Sequence, residues 1–254
     1  MKPFLFIIAF IAQMLLCVGD APATTEQNTR DFLTTNSLFH KGKYEEALKG
    51  YAQLIDHYPN NGHLYYNQGN VYLRLGQLGA ALAAYRQALV YLPRHQDLKA
   101  NLAYARSLTK DDILPLEPHP LLRTLFFWHY SFNLIELGIA FLLINFIFWL
   151  TMLLRLYWRQ NELLRWSMFA SLLFVISFAL SITIRHFAAP TIALVNAPEI
   201  EVYAANRVDS VVRFKLHAGS EVAVVAENNN WLRIRISDTE QGWLEKDNVI
   251  LVNL

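Results

Sequence analysis

Asn36 and Asn70 stand 34 residues apart, and each has rings or cations beside it at helical spacing. Phe32, Phe39 and His40 surround the first; Tyr66, Leu73 and Arg74 surround the second. Offsets of three and four residues place each set along one side of a helix. The chemistry available to such a set is recognition without bond-making. A primary amide carries two N–H donors and a carbonyl acceptor, which suits it to the backbone of an extended peptide. The rings would add apolar contact and Arg74 a charge. The same spacing also allows Phe32 and Phe39 to pack between helices instead.

No comparable set supports bond-breaking. Phosphate-loop, dinucleotide-binding, zinc-protease and nucleophile-elbow patterns are absent from the sequence. None of the eight histidines makes a ligand pair on one helical face beside a carboxylate; His57 and His63 flank a turn without further ligands. The single cysteine, Cys17, lies in the amino-terminal leader, which leaves no thiolate site behind it. Neither an enzyme, a metal nor a cofactor is therefore expected. A net charge of +1 gives no polyanion-binding field, so nucleic acid is not an expected partner.

The elements that position the asparagines follow from the same period. Gly42, Tyr44, Ala47, Tyr51 and Pro59 recur as Gly76, Leu78, Ala81, Tyr85 and Pro93, and Asn67 recurs as Asn101. Small and aromatic residues at these fixed offsets resemble the tetratricopeptide repeat (TPR), a helical hairpin that stacks on its neighbours. Ala47, Gly69, Ala81 and Ala88 fall where helices cross, Tyr51 and Tyr85 fill the space between hairpins, and the prolines end each second helix. A further helix from about Gln96 to Leu108 is expected to cap the stack. Thr34 and Thr35 depart from the pattern, so the first helix is expected to be frayed or shifted. The resemblance places Phe32, Asn36, Phe39, His40, Tyr66, Asn70 and Arg74 on a concave groove. That groove lacks the lysines with which some TPRs clamp a terminal carboxylate.

Two apolar runs dominate the middle of the chain. Leu134 to Leu154 is interrupted by Glu136, Asn145 and Thr151, and Trp166 to Ile184 has no charge. At ~1.5 Å per residue each covers the ~30 Å hydrocarbon layer of a bilayer. Between them lie Arg155, Arg159 and Arg165 against Glu162, which directs the turn to the cytoplasm and both flanks to the far side. Asn133 with Glu136 forms a capping-box pattern. Asn145, near mid-span, is expected to hydrogen-bond Ser171, Ser177 or the backbone; a transport path is the alternative. Leu121 to Tyr130 has the make-up of an interfacial segment. Lys2, the apolar stretch Phe4 to Leu16 and Ala21-Pro22-Ala23 form a secretory leader.

Beyond Ile192 the apolar period becomes two, as in half-buried strands. Leu216-His217-Ala218-Gly219-Ser220, then Trp231-Leu232-Arg233-Ile234, then Gln241-Gly242-Trp243-Leu244 resemble the bacterial SH3-like barrel. Trp231 and Trp243 either close such a barrel or form its ligand surface.

The expected organisation is multi-domain α plus β. A leader spans 1–23, repeats with a cap 28–108, linker and interfacial segment 109–131, and spans 132–154 and 166–186 with loop 155–165 between them; an SH3-like domain occupies 190–254. That order, with Ser131-Phe132-Asn133-Leu134-Ile135-Glu136, Ala197-Pro198-Glu199 and Phe214-Lys215-Leu216-His217-Ala218-Gly219, resembles BatE-like proteins of the Bacteroides aerotolerance (Bat) family. The resemblance implies an inner-membrane accessory protein with both folded modules in the periplasm. Its implied partners are von Willebrand A domain membrane proteins and a MoxR-type AAA+ ATPase, in envelope stress tolerance. A peptidoglycan-binding module that recruits cell-wall enzymes is the alternative function.

Overall fold

The computed structural model describes residues 26–113, 119–237 and 240–253, so the expected leader lies outside the described residues. These hold nine α-helices and a seven-stranded antiparallel sheet, an α plus β protein. The described residues divide into two compact units, one of residues 122–188 and one of residues 26–121 with 189–253.

In the second unit, α1 (Glu26–His40), α2 (Tyr44–His57), α3 (Gly62–Arg74), α4 (Leu78–Tyr91) and α5 (Gln96–Ser107) follow one another as antiparallel hairpins. The turns repeat with the sequence. Gly42 and Gly76 adopt φ of 76° and 72°. Lys43 N–H donates to Leu38 O and Gly42 N–H to Phe39 O; Gln77 to Tyr72 and Gly76 to Leu73 copy the arrangement. Each turn thus satisfies the carbonyls left free where α1 and α3 end. Tyr51 and Tyr85 are buried, and a Cβ at Gly69 would overlap the Tyr85 ring. In the first repeat Thr35 takes the place of Gly69, and Gly50 on α2 makes room for it. The Thr35 hydroxyl donates to Asp31 O at 2.8 Å, so α1 is continuous through Thr34 and Thr35 and not frayed there.

Strands β1 (Thr191–Val195), β2 (Glu199–Tyr203), β3 (Val212–His217), β4 (Glu221–Asn228), β5 (Trp231–Arg235), β6 (Gln241–Glu245) and β7 (Val249–Asn253) pair in the order β3-β2-β6-β5-β4-β1-β7. Alternation divides β1 between two cores. Ala193 and Val195 join Ile200, Val202, Leu216, Val222, Leu232, Ile234 and Leu244 inside the sheet. Ile192 and Leu194, with Val252 of β7, join Ala81, Leu82, Tyr85, Leu98 and Leu102 of the helices. The sheet therefore covers the last helical pair beside α5. Residues Gly79 to Tyr85 of α4 are all buried, as a helix packed on every side must be.

Polar groups lock the same junction. Glu221, 12% exposed, is held by Arg86 and by Arg106 at 2.9 Å. Asp111 accepts from the His217 backbone N–H at 2.7 Å and from Ser220 Oγ, and His217 Nδ1 lies 2.7 Å from it. Burial pushes the Asp111 carboxyl up, but the hydrogen bonds from Ser220 and His217 outweigh it and hold the group below its ordinary value.

The other unit holds α6 (Pro120–Leu125) from Leu122 on, α7 (Phe127–Ser131), α8 (Leu134–Tyr157) and α9 (Glu162–Phe187). α8 and α9, with mean hydropathy 2.4 and 2.2 over their most apolar stretches, are long and apolar enough to cross a membrane. The capping box forms: Glu136 N–H donates to Asn133 Oδ1 at 2.8 Å, and Asn133 N–H to Glu136 Oε2 at 2.9 Å. The helices run past the apolar stretches, so Arg155 and Arg165 lie in their end turns and only 158–161 separates them. Leu137, Thr151, Ser171, Phe178 and Ser181 form the buried seam. Asn145 departs from expectation. Ser171 Oγ donates to its own helix at Met168 O, 3.0 Å, and the Asn145 amide has no hydrogen-bond partner among the described residues. A serine inside an apolar helix satisfies its own donor on the preceding turn, so Ser171 has no need of the Asn145 carbonyl as an acceptor. On α7, Trp128 stacks on Phe178 at 5.4 Å, and Arg185 donates to the carbonyls of Phe132, at 2.6 Å, and His129.

Candidate functional site

Both asparagines are held by tyrosines of the following helix. The Tyr51 hydroxyl donates to Asn36 Oδ1, and the Tyr85 hydroxyl donates to Asn70 Oδ1 at 2.8 Å. The two bonds share one 15-residue separation, so the repeat carries the contact as well as the residues. Burial pushes the Tyr51 phenol up to about 12 and the Tyr85 phenol higher still, so both stay protonated as donors. Asn101 Nδ2 adds a second bond to Asn70 Oδ1 at 2.9 Å and reaches the Tyr66 hydroxyl at 3.2 Å.

This geometry decides which half of each amide is available. The carbonyl oxygens of Asn36 and Asn70 are occupied inside the fold. Their Nδ2 groups make no hydrogen bond among the described residues. Two equivalent N–H₂ groups are left as donors, and an extended peptide offers carbonyls as its matching acceptors.

The remaining residues of the expected groove are placed unevenly. Tyr66, Asn70 and Arg74 occupy successive turns of α3, with Tyr66 half-buried and Arg74 exposed. The Arg74 charge acts on Tyr85, opposing the upward push of burial. Phe32 and Phe39 pack against the first-repeat core of Ala47, Tyr51 and Leu54 while staying half-exposed. His40 is exposed, with its ring edge-on to Phe39 at 5.6 Å.

Trp231 and Trp243 do not fill the sheet's interior. Each alternates with buried neighbours, Leu232 and Ile234 on β5, Gly242 and Leu244 on β6, and is itself half-buried. Gly242 is the inward member of the Gly-Trp pair, with its Cα face against Val202. Trp243 stands opposite Tyr203 on one side and Arg233 on the other, and Trp231 meets Tyr203 edge-on at 5.7 Å. Three aromatic rings therefore share one outer face.

The histidines form no metal centre among the described residues. His57 Nδ1 lies 2.7 Å from Gln53 O, while the His63 ring faces His95 at 5.8 Å. The tyrosine clamps and the junction at Asp111, His217, Ser220 and Glu221 escape a site search by sequence. The 34-residue recurrence of both Asn36 and Tyr51 was the signal for the clamps; the junction joins residues 106 or more apart and leaves none.

Family comparison matches residues 62–95 and residues 32–61 to the tetratricopeptide repeat. Such repeats are typically non-catalytic protein-interaction modules, so protein partners are expected of this chain. Among solved structures, NlpC2 from Trichomonas vaginalis shares 22% identity over 25% of this chain and 25% of that one, at a TM-score of 0.23. NlpC1 from the same organism shares 21% over 25% and 24%, also at 0.23. The chain thus spans about a quarter of each of these proteins, and a superposition so loose has no bearing on its function.

Proposed function

We propose that the chain is a non-enzymatic inner-membrane scaffold of the BatE-like kind in the Bat family. Its periplasmic repeat groove binds an extended segment of a protein partner, and its SH3-like sheet offers a second docking face. The partners implied are von Willebrand A domain membrane proteins, linked to a MoxR-type ATPase in envelope stress tolerance. The observation that carries the reading is the pair of N–H₂ groups on Asn36 and Asn70 with no hydrogen bond among the described residues, their carbonyls being committed to Tyr51 and Tyr85.

Topology supports the same reading. Residues on both sides of α8 and α9 build one core, so both flanks must occupy one compartment. A double crossing meets that requirement, and the arginines at the turn assign its side.

The test is Asn36→Asp with Asn70→Asp. Aspartate keeps the acceptor that each tyrosine needs and replaces the N–H₂ donor by a second acceptor. Recovery of periplasmic partners crosslinked from Arg74 should fall about tenfold, as the loss of two hydrogen bonds predicts, with membrane insertion unchanged. Undiminished recovery counts against the groove. The outward, half-buried Trp231 and Trp243 favour the second reading, a cell-wall module. Co-sedimentation of the whole protein with purified peptidoglycan separates the two, because wall binding survives the double aspartate variant.

A further inference from the structure

Six lysines and arginines lie between Thr191 and Asn253: Arg207, Arg213, Lys215, Arg233, Arg235 and Lys246. Three have carboxylate partners. Arg207 pairs with Asp209 at 3.3 Å, Lys215 with Glu199 at 2.6 Å and Lys246 with Glu227 at 2.6 Å. Arg213, Arg233 and Arg235 have none among the described residues; the first two reach Gln241, and the third is its neighbour across the strands. Arg213 Nη1 donates to the Gln241 carbonyl at 2.7 Å, and Arg233 Nη2 to Gln241 Oε1 at 2.8 Å. Arg235 stands opposite Gln241 in the β5–β6 register.

A neutral residue thus orients two guanidiniums from different strands and neutralises neither. Restricting their rotamers in advance lowers the entropy lost on binding an anion, and the planar fork suits a carboxylate. Beside them runs the aromatic row, with Trp243 opposite Arg233, Tyr203 opposite Trp243 and Trp231 edge-on to Tyr203. Past that row the charge reverses. Glu245 stands opposite Trp231, and Glu201 accepts from the Tyr203 hydroxyl at 2.9 Å.

We infer that this face binds an extended polypeptide with an acidic cluster, its carboxylates on Arg213, Arg233 and Arg235 and its apolar side chains on Trp243, Tyr203 and Trp231. Arginine and large aromatics are the residue types that anchor protein interfaces. The reversal of charge excludes a uniform polyanion. A nucleic-acid strand or an anionic lipid surface laid along the row would bring phosphates over Glu201 and Glu245. An acidic block followed by apolar residues meets complementary groups throughout. The inference rests on the sheet's being a second docking face and is independent of the asparagine groove.

The whole protein in zwitterionic nanodiscs provides the test. The probe is a labelled peptide with a tyrosine-proline block followed by a glutamate block, read by fluorescence anisotropy. It should bind, weaken with added salt, and lose about fivefold in affinity or more when glutamine replaces its glutamates. Arg233→Gln with Arg235→Gln should bring the glutamate peptide down to the glutamine level, with the near-ultraviolet circular dichroism unchanged. Asn36→Asp with Asn70→Asp should have no effect on this peptide, which separates failure here from failure of the groove. Equal binding of both peptides, indifference to the arginine substitutions, or an oligonucleotide of equal charge that binds as tightly would each overturn the assignment.

Discussion

Asp111 is a single side chain on the segment that leaves α5, yet it satisfies three donors from the start of the β3–β4 turn. Its carboxyl is held below the ordinary value because burial, which opposes ionisation, is outweighed by hydrogen bonds from Ser220 and His217. A group depressed in the folded state contributes stability that is present above its unfolded pKa, ~3.9 for aspartate. That contribution is lost as the pH falls through the lower, folded value. Urea unfolding between about pH 6 and pH 2.5 should therefore show a steeper acid loss in the native protein than in Asp111→Asn. Parallel profiles for the two proteins would remove Asp111 from the acid response. Tyr51 and Tyr85 make a related point about legibility. Their burial followed from the repeat pattern, while their hold on Asn36 and Asn70 did not, because spacing gives a residue's face and not its hydrogen-bond partner.

At the scale of elements, period and composition carried most of the information. The 34-residue recurrence pointed to α1 to α5, though not to the continuity of α1; a period of two pointed to β3, β4 and β5, and unbroken apolarity to α8 and α9. What the pattern lacked was any term for packing between elements distant in sequence. Asn145 is the case in point: of its expected partners, Ser171, Ser177 and the backbone, none bonds its amide among the described residues, and Ser171 donates to its own helix. If the amide contributes nothing to the α8–α9 seam, Asn145→Leu should leave hairpin stability within about 0.6 kcal/mol of the native value, the average worth of a hydrogen bond between membrane helices. Steric trapping or unfolding in mixed micelles measures this; a loss well above that figure would show that Asn145 does tie the helices together. Thr35 is a second case. A residue that breaks the repeat consensus is accommodated by Gly50 fifteen positions later, a compensation visible only once α1 and α2 are packed.

For the unit of repeats and sheet as a whole, the decisive contact is their shared core. Its sign in the sequence was the α4 stretch Leu78-Gly79-Ala80-Ala81-Leu82-Ala83-Ala84, small and apolar on every side, which neither α3 nor α5 alone can cover. Glu221 sits in that contact between Arg86 and Arg106. Removing it leaves two largely buried guanidiniums without a counter-charge, and breaking such a pair typically costs about 3 kcal/mol or more. In Glu221→Ala, hydrogen exchange should accelerate together in α4, α5, β1 and β4. Acceleration confined to the strands would mean that the repeats and sheet open independently.

The core assembled from both flanks of the hairpin also imposes an order of events. When α4 has left the ribosome, Ile192, Leu194 and Val252, which will cover it, have not yet been translated. The nascent repeats must wait, with an alanine-lined surface bare, until α8 and α9 have been made and the strands follow. On the membrane topology proposed above, insertion of the hairpin becomes a checkpoint for completing this core, and a copy that fails to insert presents an unfinished face to quality-control proteases.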